Sequence, residues 1–453
     1  MSQTERANFG TKLGIILATA GSAVGLGNVW HFPYMTGQNG GAAFIIIYLG
    51  CILLLGIPGM VSEFIVGRHS QSNAARAYAS FSKSKSWGLI GILGIITSTI
   101  ILGFYAVVAG WCLFYLGAST VGQLKGDPAF VQSYFQTFSG DPIKPAALGI
   151  AFIFITHFII VRGVRNGIEK ASKLLMPLLF ILLLVIVVAS CSLPGASKGI
   201  EFLLKPDFSK VGPNVFLEAL GQTFFSLSLG TACLCTYASY FSRQTRLHYS
   251  ATQIAVIDFF IALLAGLMIF PAAFSVGVQP DSGPSLIFIT LPSVFQQAFS
   301  FSPVLGYVIS IMFYALLVFA ALTSTISMHE IGTAFFHEEL KIRRSYAAWI
   351  ITVVCCVLCI FCSLSVGNAE IGFFGMSLMN LCDFITAQLM LPAGALLTSI
   401  LVGWVASKSL VREEFTNFET ARGKSLFGYY MFCVRYVVPV CILLILLHQF
   451  GLI

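Results

Sequence analysis

The chain has 453 residues, of which 57% are hydrophobic and 9% carry a charge, and its mean hydropathy is +0.90. A soluble domain has about 25% charged residues, so this composition excludes a soluble protein and indicates a polytopic membrane protein surrounded by lipid. The net charge of +7 does not indicate a nucleic-acid partner, because the cations cluster in alternate loops between apolar runs. The polar segment 1–12 lacks a cleavable-signal pattern, so we expect the first span to stay in the mature protein.

Charge-poor apolar runs of about 20 residues predict eleven helical membrane spans. In chain order they lie near 13–36, 42–66, 88–121, 145–161, 171–193, 215–241, 252–277, 303–335, 346–365, 376–405 and 430–450. Lysine and arginine are concentrated in the loops that follow every second span. The positive-inside rule therefore predicts a cytoplasmic N-terminus and, because the span count is odd, an outer C-terminus. The predicted location is the inner (plasma) membrane of the cell.

The first predicted span contains three glycines and an asparagine within residues 20–28. No Asp, Glu, Lys or Arg occurs between Lys12 and Glu63, so this segment lies at membrane depth. Glycines at this density interrupt a helix, and backbone groups freed in hydrocarbon need a partner. Irregular backbone at this depth occurs where it lines a cavity enclosed by protein. The segment therefore predicts a binding site for ions and a small solute.

A second interruption is predicted in the sixth span, at residues 225–231. The tripeptide at 229–231 (Leu-Gly-Thr) echoes the one at 26–28 (Leu-Gly-Asn), five spans earlier. Two broken helices in corresponding positions of two halves indicate an inverted-repeat transporter. The predicted organisation is one transporter domain, 1–453, with a first repeat at 13–193, an inverted second repeat at 215–405 and an additional span at 430–450. The alternative is a pair of close helix crossings made by small residues.

The predicted outer loop from Pro284 to Phe299 is apolar and bracketed by proline. It is too short to cross a membrane. We therefore expect a re-entrant or surface-lying helical hairpin there.

Twelve cysteines do not form a disulfide framework, because most lie within apolar runs. Cys355, Cys356, Cys359 and Cys362 fall on one predicted helix, and the last three make two overlapping C-x-x-C motifs. No histidine or carboxylate accompanies them, as a zinc site would normally require. They are expected to be packing residues.

Several motifs in order make the chain resemble the neurotransmitter:sodium symporter family, in its bacterial amino-acid branch. They are Ala20-Gly21-Ser22-Ala23-Val24-Gly25-Leu26-Gly27-Asn28 with Phe32-Pro33, Asn39-Gly40-Gly41-Ala42, Gly56-Ile57-Pro58 with Glu63 and Gly67-Arg68, Gly221-Gln222 with Phe224 to Gly230, Thr236 to Tyr240, and Ala321-Leu322-Thr323-Ser324. The likeness runs from Arg6 to about residue 450. It implies an all-α fold of two inverted five-helix repeats with broken first and sixth helices. The best-studied members have twelve spans, whereas this chain ends after the eleventh.

The resemblance implies an amino-acid site between the two broken helices. The N–H groups of Leu26 and Gly27 and the hydroxyl of Tyr105 would hold the carboxylate, and the carbonyls near Ala23, Phe225 and Ser226 the amine. The positions matching side-chain contacts are Ile101, Phe225, Ser228, Thr231, Ser324 and Met328. Thr231 replaces a phenylalanine of a leucine-binding relative, which would enlarge the pocket and add a hydroxyl. We therefore expect a neutral L-amino acid of medium to large size, aromatic ones included.

Gly25 distinguishes an amino acid from a biogenic amine as the substrate. Relatives that carry monoamines place an acid at this position. A glycine leaves room for the carboxylate of the substrate itself.

Two sodium sites are also implied by the resemblance, and Na⁺ prefers oxygen ligands. The first would use the carbonyl of Ala23, the side chains of Asn28, Ser226 and Asp258, and the substrate carboxylate. The second would use the carbonyls of Gly21, Val24 and Ala320 and the hydroxyls of Thr323 and Ser324. A Thr–Ser pair in a membrane helix more often bonds back to its own helix.

Asp258 departs from the family pattern, in which an asparagine is expected. Animal members need chloride near this point, and a fixed carboxylate would supply that negative charge instead. We therefore expect two sodium ions and no chloride requirement. The alternative is that Asp258 lies near the cytoplasmic end and is merely solvated.

The resemblance places gates on both sides of the site. Asp383 provides the acid of the outer pair, and His31 stands where an arginine is expected, so this gate would be weaker and pH-sensitive. Arg6 and Glu338 match the cytoplasmic pair, and Phe9 stands where a tryptophan often packs. Glu63 is expected to brace the broken first helix by accepting its N–H groups.

The predicted function is sodium-coupled import of an amino acid by alternating access. The alternatives are an ion channel and a substrate sensor on the same scaffold. An enzyme is disfavoured, because no nucleophile–His–Asp grouping, H-E-x-x-H motif or phosphate-binding loop occurs.

Overall fold

The computed structural model describes residues 8–124, 128–277, 286–366, 371–373, 375–418 and 424–449. Within these ranges the chain is helical apart from one two-stranded hairpin, in which Gly372–Phe373 pairs antiparallel with Met376–Ser377. Nine continuous helices in the described ranges are long and apolar enough to cross a membrane, and one bent pair of helices meets the same condition. A further broken helix lies at the predicted sixth span, so a helix or helix pair stands at each of the eleven predicted positions.

The eleven spans are numbered in chain order. Their bounds are Lys12–Ala23 with Gly27–Gln38 (span 1), Ala42–Ser70 (2), Lys85–Thr120 (3), Lys144–Val161 (4), Val164–Cys191 (5), Pro213–Ser226 with Cys233–Ala238 (6), Leu247–Ser275 (7), Pro303–Glu339 (8), Arg344–Val366 (9), Leu378–Val405 (10) and Leu426–Gln449 (11). Shorter helices are Ala74–Ser80, Pro128–Ser139, Ala196–Leu204, Phe208–Lys210, Leu286–Ala298 and Lys408–Phe415.

Two groups of spans form the core that positions the site. Spans 3, 4, 8 and 9 pack against one another, and span 5 joins them through span 8. Spans 1 and 2 and the two halves of span 6 lie against this group together with span 7. Spans 3 and 4 approach so closely that a Cβ added to Gly110 would lie 2.6 Å from the Gly149 nitrogen. Close backbone approach through small residues is the usual basis of helix packing in membranes.

Span 5 begins earlier than predicted, at Val164 instead of 171. Its first turn, Val164–Glu169, is π-helical and carries charged residues that the hydropathy pattern excluded. Glu169 is nevertheless buried, since it accepts hydrogen bonds from the Gly10 nitrogen (2.6 Å) and the Thr11 hydroxyl (2.9 Å) and pairs with Lys173 (2.6 Å). A paired carboxylate can enter a span that an unpaired one would avoid.

The predicted hairpin between Pro284 and Phe299 is instead a single short helix, Leu286–Ala298. Pro284 lies outside the described residues. Phe288 is fully buried, with its ring 5.6 Å from those of Trp111 and Phe135. The apolar segment is therefore covered by neighbouring aromatic side chains and does not need to fold back on itself.

A polar cluster ties the end of span 2 to the short helix after span 10. The Arg68 guanidinium donates to the Glu414 carboxylate (2.7 Å), the Glu414 carbonyl (2.6 Å) and the Asn417 side chain (2.8 Å). Arg68 and Glu414 are both buried. Burial alone raises the pKa of the Glu414 carboxyl, but the hydrogen bonds and charges of His69 and Arg68 outweigh it and leave this pKa below its ordinary value of 4.5.

Replacing Glu414 by glutamine should lower the thermal unfolding temperature by roughly 3–6 °C at pH 7, because a buried guanidinium loses its counter-charge. A depressed carboxyl pKa stabilises the folded state above the unfolded pKa and ceases to do so as the pH falls through the folded pKa. The gap between wild type and variant should therefore be constant from pH 8 to 6 and shrink below pH 4.5. Thermal unfolding of the detergent-solubilised proteins across this range measures it. The exposed Glu413→Gln is the control, and a gap that widens in acid would contradict the assignment.

Candidate functional site

Span 1 is broken where the glycines occur. Its two halves meet at an angle of 54°, and Val24 has an extended conformation with φ −74° and ψ 106°. The freed N–H of Gly25 donates to the Asn28 side-chain oxygen at 3.0 Å, and that of Leu26 donates to the Tyr105 hydroxyl at 3.2 Å. The start of the second half-helix therefore presents N–H groups beside Tyr105, and its partial positive charge suits an anion.

Span 6 is unwound between Ser226 and Cys233. Ser228 and Gly230 have left-handed backbone conformations, with φ of 53° and 82°. Ser228 also connects the two breaks, because its hydroxyl donates to the Ser22 carbonyl at 3.2 Å. The predicted interruptions thus face each other in the structure.

Glu63 braces span 6. The sequence had suggested that it would brace span 1. Its carboxylate accepts the Gly230 N–H at 2.8 Å and the Cys235 N–H at 3.3 Å. These N–H groups belong to the turn that starts the second half of span 6. In span 1 the corresponding groups are taken by Asn28 and Tyr105, so the carboxylate serves the other break.

The position predicted for a substrate carboxylate lies between Gly25, Tyr105 and Ser324. A Cβ added to Gly25 would lie 2.5 Å from the Ser324 hydroxyl oxygen and 3.2 Å from the Tyr105 oxygen. Any side chain at position 25 would therefore clash with these hydroxyls, so the structure accommodates only a glycine here. Gly27 is also tightly packed, because a Cβ added there would lie 2.8 Å from the nearest carbon of the Phe225 ring. The residues predicted for the carboxylate are therefore brought together.

The residues predicted for the substrate side chain come from spans 3, 6 and 8. Ile101 is one helical turn from Tyr105 and Met328 one turn from Ser324, so each pair lies on one helix face. Both are half-buried, whereas the Phe225 side chain is 37% exposed. Phe225 is thus the large apolar side chain of span 6 that remains accessible beside the breaks.

Thr231 does not offer the free hydroxyl that its sequence position suggested. Its Oγ1 donates to the Ser228 carbonyl at 2.7 Å and accepts the Cys233 N–H at 3.1 Å. This hydroxyl therefore caps the second half of span 6, as threonine commonly does at a helix start. Thr231 can therefore affect a ligand through its size, because its side chain is smaller than phenylalanine, and not through a free hydroxyl.

Asp258 is fully buried beside the break in span 1, which excludes the solvated alternative. The Asn28 amide donates to one carboxylate oxygen and the Ser226 hydroxyl to the other, each at 2.7 Å. Among the described residues, the side-chain ion pairs within 4.0 Å involve carboxylates other than that of Asp258. Asp258 is therefore a buried carboxyl among neutral oxygen-bearing groups, and in its ionised form it would favour a bound cation.

The second predicted cation site brings together Val24, Ala320 and Thr323. The Thr323 hydroxyl lies 3.3 Å from the Val24 carbonyl and 2.9 Å from the Ala320 carbonyl. Gly21 is adjacent, since a Cβ added there would lie 3.3 Å from Thr323 Cβ. The neighbouring Ser324 hydroxyl faces Gly25 instead, so the structure places it closer to the substrate than to this group. All the donors are oxygens, which fits Na⁺.

The predicted outer gate pair does not form in this conformation. The His31 ring bonds to the Gln222 side chain and lies 5.2 Å from the Phe225 ring. Asp383 is exposed, and its carboxylate makes no ion pair within the described part of the chain. The two side chains are therefore not paired with each other in this conformation.

The opposite side is closed by the segment that precedes span 1. Phe9 packs its ring against Tyr237, Tyr240 and Phe241, with centroids 6.0–6.4 Å apart. Arg6 lies outside the described residues, so its predicted pairing remains a prediction. Glu338 accepts hydrogen bonds from the Asn73 backbone (2.7 Å) and side chain (3.1 Å).

Two residues of the site were missed by sequence reasoning. Tyr48 of span 2 is fully buried with its hydroxyl beside the Asp258 carboxylate. Gln222 is buried one turn before Ser226 and contacts His31. A polar side chain on a broken span is the signal that could have indicated Gln222, whereas a single tyrosine in an apolar run indicates nothing specific.

Comparison with known proteins agrees with this geometry. The model of the sodium:neurotransmitter symporter family matches residues 6–129 and 144–452. The chain is 37% identical to an uncharacterised sodium-dependent transporter, YhdH of Bacillus subtilis, over 100% of this chain and 99% of the relative. It is 28% identical to the bovine (Bos taurus) sodium-dependent neutral amino acid transporter B(0)AT2, over 58% of this chain and 40% of the relative.

The structure also matches a solved one. The crystal structure of MhsT in complex with L-phenylalanine superposes with a TM-score of 0.88 at 38% identity, covering 98% of this chain and 99% of that chain. This match confirms the predicted all-α membrane fold. The chain therefore belongs to the sodium:neurotransmitter symporter family and is a membrane transporter, not an enzyme.

Proposed function

We propose that the protein is a sodium-coupled symporter that imports a neutral L-amino acid of medium to large size by alternating access. Na⁺ is a co-substrate, bound at two sites, and chloride is not needed. The two halves, 13–193 and 215–405, act as inverted repeats around the broken spans. The N-terminus is cytoplasmic and the C-terminus outside, in the inner membrane.

The two breaks match the two ends of an amino-acid zwitterion. The exposed N–H end of a half-helix carries partial positive charge and the C=O end partial negative charge. At span 1 the Leu26 N–H donates to the Tyr105 hydroxyl, and a substrate carboxylate would bind the N–H groups of Leu26 and Gly27 at this end of the half-helix. The carbonyls that end the first half of span 6, near Phe225 and Ser226, suit the ammonium group.

The observation that carries the sodium coupling is the buried Asp258 carboxylate with only neutral groups bonded to it. A cation and the substrate carboxylate would meet here, because Asn28 bonds both to Asp258 and to the Gly25 N–H. Binding of one would then favour binding of the other through direct charge attraction. The fixed carboxylate supplies the negative charge for which chloride would otherwise be needed.

The size of the substrate follows from the pocket wall. Thr231 takes up less space than a phenylalanine, and Ile101, Phe225 and Met328 supply apolar surface. The solved structure with L-phenylalanine bound belongs to a protein that is 38% identical to this chain. These observations favour a medium to large apolar or aromatic amino acid.

Uptake into proteoliposomes tests the proposal. An inward sodium gradient should drive accumulation of labelled phenylalanine, leucine or tryptophan, and replacing sodium by potassium should abolish it. Glycine and charged amino acids should compete poorly. Sodium-dependent binding without accumulation would indicate a sensor, and sodium current without amino-acid dependence would indicate a channel.

Tyr105→Phe should weaken substrate binding while preserving the fold. The variant removes one hydroxyl that lies 3.2 Å from the Leu26 N–H and would face the substrate carboxylate. A hydrogen bond to a charged group is worth about 1.5–3 kcal/mol, so the apparent KM should rise roughly 10- to 100-fold. Concentration-dependent uptake measures it. Tyr115→Phe, farther along the same span, is the control, and an unchanged KM in Tyr105→Phe would remove this residue from the site.

A further inference from the structure

Cys362 of span 9 and Cys382 of span 10 are neighbours where these two helices pack together, and their thiols interact. Cys362 is buried, with 1% of its surface exposed, and Cys382 is half-buried. The pair joins two different helices, although the residues are twenty positions apart in the chain.

The helix geometry explains why these two residues meet. The end of span 9 and the start of span 10 are joined by a hydrogen bond, in which the Met379 N–H donates to the Ser365 hydroxyl at 3.1 Å. Cys362 lies three residues before Ser365, and Cys382 three residues after Met379. Three residues are close to one helical turn. In two antiparallel helices, one turn back from Ser365 and one turn on from Met379 therefore lead to residues that face each other across the same interface.

The other cysteines of span 9 have different surroundings, as packing residues should. Cys355 bonds weakly to the Thr99 carbonyl of span 3 at 3.7 Å. Cys359 covers Gly149 of span 4, since a Cβ added to that glycine would lie 2.5 Å from its sulfur. Cys362 is therefore the member of the series that faces a second thiol.

The outer end of span 10 is a short α-helical segment that carries the predicted gate acid. This segment, Leu378–Asp383, is followed by a π-helical stretch, Phe384–Met390. A π-helical stretch is often a site of functional bending. Asp383 follows Cys382 directly and is exposed. A covalent bond at Cys382 would hold this end of span 10 to span 9.

We propose that Cys362 and Cys382 form a reversible disulfide that locks the outer end of span 10 and stops transport in the conformation described here. The oxidant is a small disulfide such as oxidised glutathione. The Cys382 thiolate attacks one sulfur of this disulfide, which releases one small thiolate and forms a mixed disulfide. The released small thiolate then takes the proton of the Cys362 thiol, and the Cys362 sulfur attacks the Cys382 sulfur. The second small thiolate leaves and takes up the proton that Cys382 lost, so two protein thiols are oxidised and one small disulfide is reduced to two thiols.

The effect on transport rests on the proposed function, whereas the formation of the bond does not. Locking the outer segment should prevent Asp383 from approaching His31, so that the outer side cannot close over a bound substrate. Binding from the outside should persist, because the bond touches none of the residues around Gly25. Binding and uptake should therefore respond differently to oxidation.

The experiment uses the full-length protein in proteoliposomes treated with oxidised glutathione or with diamide. Peptide mapping without reductant should show the peptides of Cys362 and Cys382 joined, with a mass two hydrogens below their sum. Sodium-driven uptake should fall about tenfold, because opening and closing limit turnover. Dithiothreitol should restore it, and sodium-dependent substrate binding should change by less than about twofold.

Variants separate this disulfide from other effects of oxidation. Cys362→Ser and Cys382→Ser should each transport normally and resist the oxidant, while Cys359→Ser should remain as sensitive as wild type. Absence of the joined peptide in treated wild type would overturn the site. A joined peptide with unchanged uptake would overturn the lock. If untreated protein binds no amino acid and transports none, the proposed function fails while the joined peptide still decides the disulfide.

Discussion

Asp258→Asn is expected to reduce sodium-driven uptake by roughly two orders of magnitude at low sodium concentration. The carboxylate lies between Asn28 and Ser226, fully buried, so a sodium ion placed there would interact with it at short range and low dielectric. Asparagine has nearly the same shape but no charge, which leaves the packing around Tyr48 intact. The half-saturating sodium concentration, taken from uptake at constant total salt, measures the change.

The same variant should make transport respond to chloride. Wild-type uptake should be equal when chloride is replaced by gluconate, because Asp258 already supplies the negative charge. In Asp258→Asn, chloride should restore part of the uptake. Asp141→Asn, a half-buried residue in the loop before span 4, is the control. A chloride requirement in wild type, or an unchanged sodium dependence in the variant, would contradict the role given to Asp258.

The spans and their two interruptions could be predicted from the sequence because each depends on local properties. Apolar runs mark the membrane-spanning helices, and glycine-rich segments mark where those helices break. Charged residues at a span end misled this reasoning at Glu169, which is buried because Gly10, Thr11 and Lys173 surround it. Such pairing depends on segments that are distant in sequence.

The partners of individual side chains were predicted less well, for a similar reason. Glu63 was expected to accept N–H groups of span 1, but the packing of span 2 against span 6 directs it to Gly230 and Cys235. The Thr231 hydroxyl was expected to face a substrate, whereas the unwound segment uses it as a helix cap. A sequence motif identifies which residues lie at a break, but the backbone conformation of the break decides where their polar atoms point.

The outer gate shows that the partner of a side chain also depends on the conformation of the protein. His31 and Asp383 were predicted to pair, and in the structure His31 contacts Gln222 instead. In the proposed alternating access, a gate pair would form only when the outer side is closed. A conformation in which Phe225 is accessible and Phe9 packs against Tyr237 is consistent with an open outer side. Whether the pair forms on closing is a separate prediction that follows from alternating access.

Gly25→Ala is expected to abolish amino-acid binding while leaving the protein folded. The added methyl carbon would lie 2.5 Å from the Ser324 oxygen and 3.2 Å from the Tyr105 oxygen, so it would occupy the space proposed for the substrate carboxylate. The Ser324 side chain can rotate, but the volume that remains is too small for both the added methyl group and a carboxylate. Loss of the substrate carboxylate also removes a ligand from the first sodium site. We expect sodium-dependent binding of phenylalanine to weaken by at least about 100-fold, which corresponds to nearly 3 kcal/mol.

Gly117→Ala provides the matched control for this variant, because a Cβ added to Gly117 of span 3 would meet nothing within 4 Å. Both substitutions add one methyl group to a glycine of a membrane-spanning segment, so a general effect on the fold should appear in both. Thermal unfolding in detergent should give the same midpoint for Gly117→Ala and wild type, and a midpoint within a few degrees for Gly25→Ala. Normal phenylalanine binding by a folded Gly25→Ala protein would mean that the substrate carboxylate lies elsewhere. The part of the proposed site that binds the carboxylate would then have to be placed elsewhere. Selective loss of binding in Gly25→Ala would locate that part beside Tyr105 and Ser324.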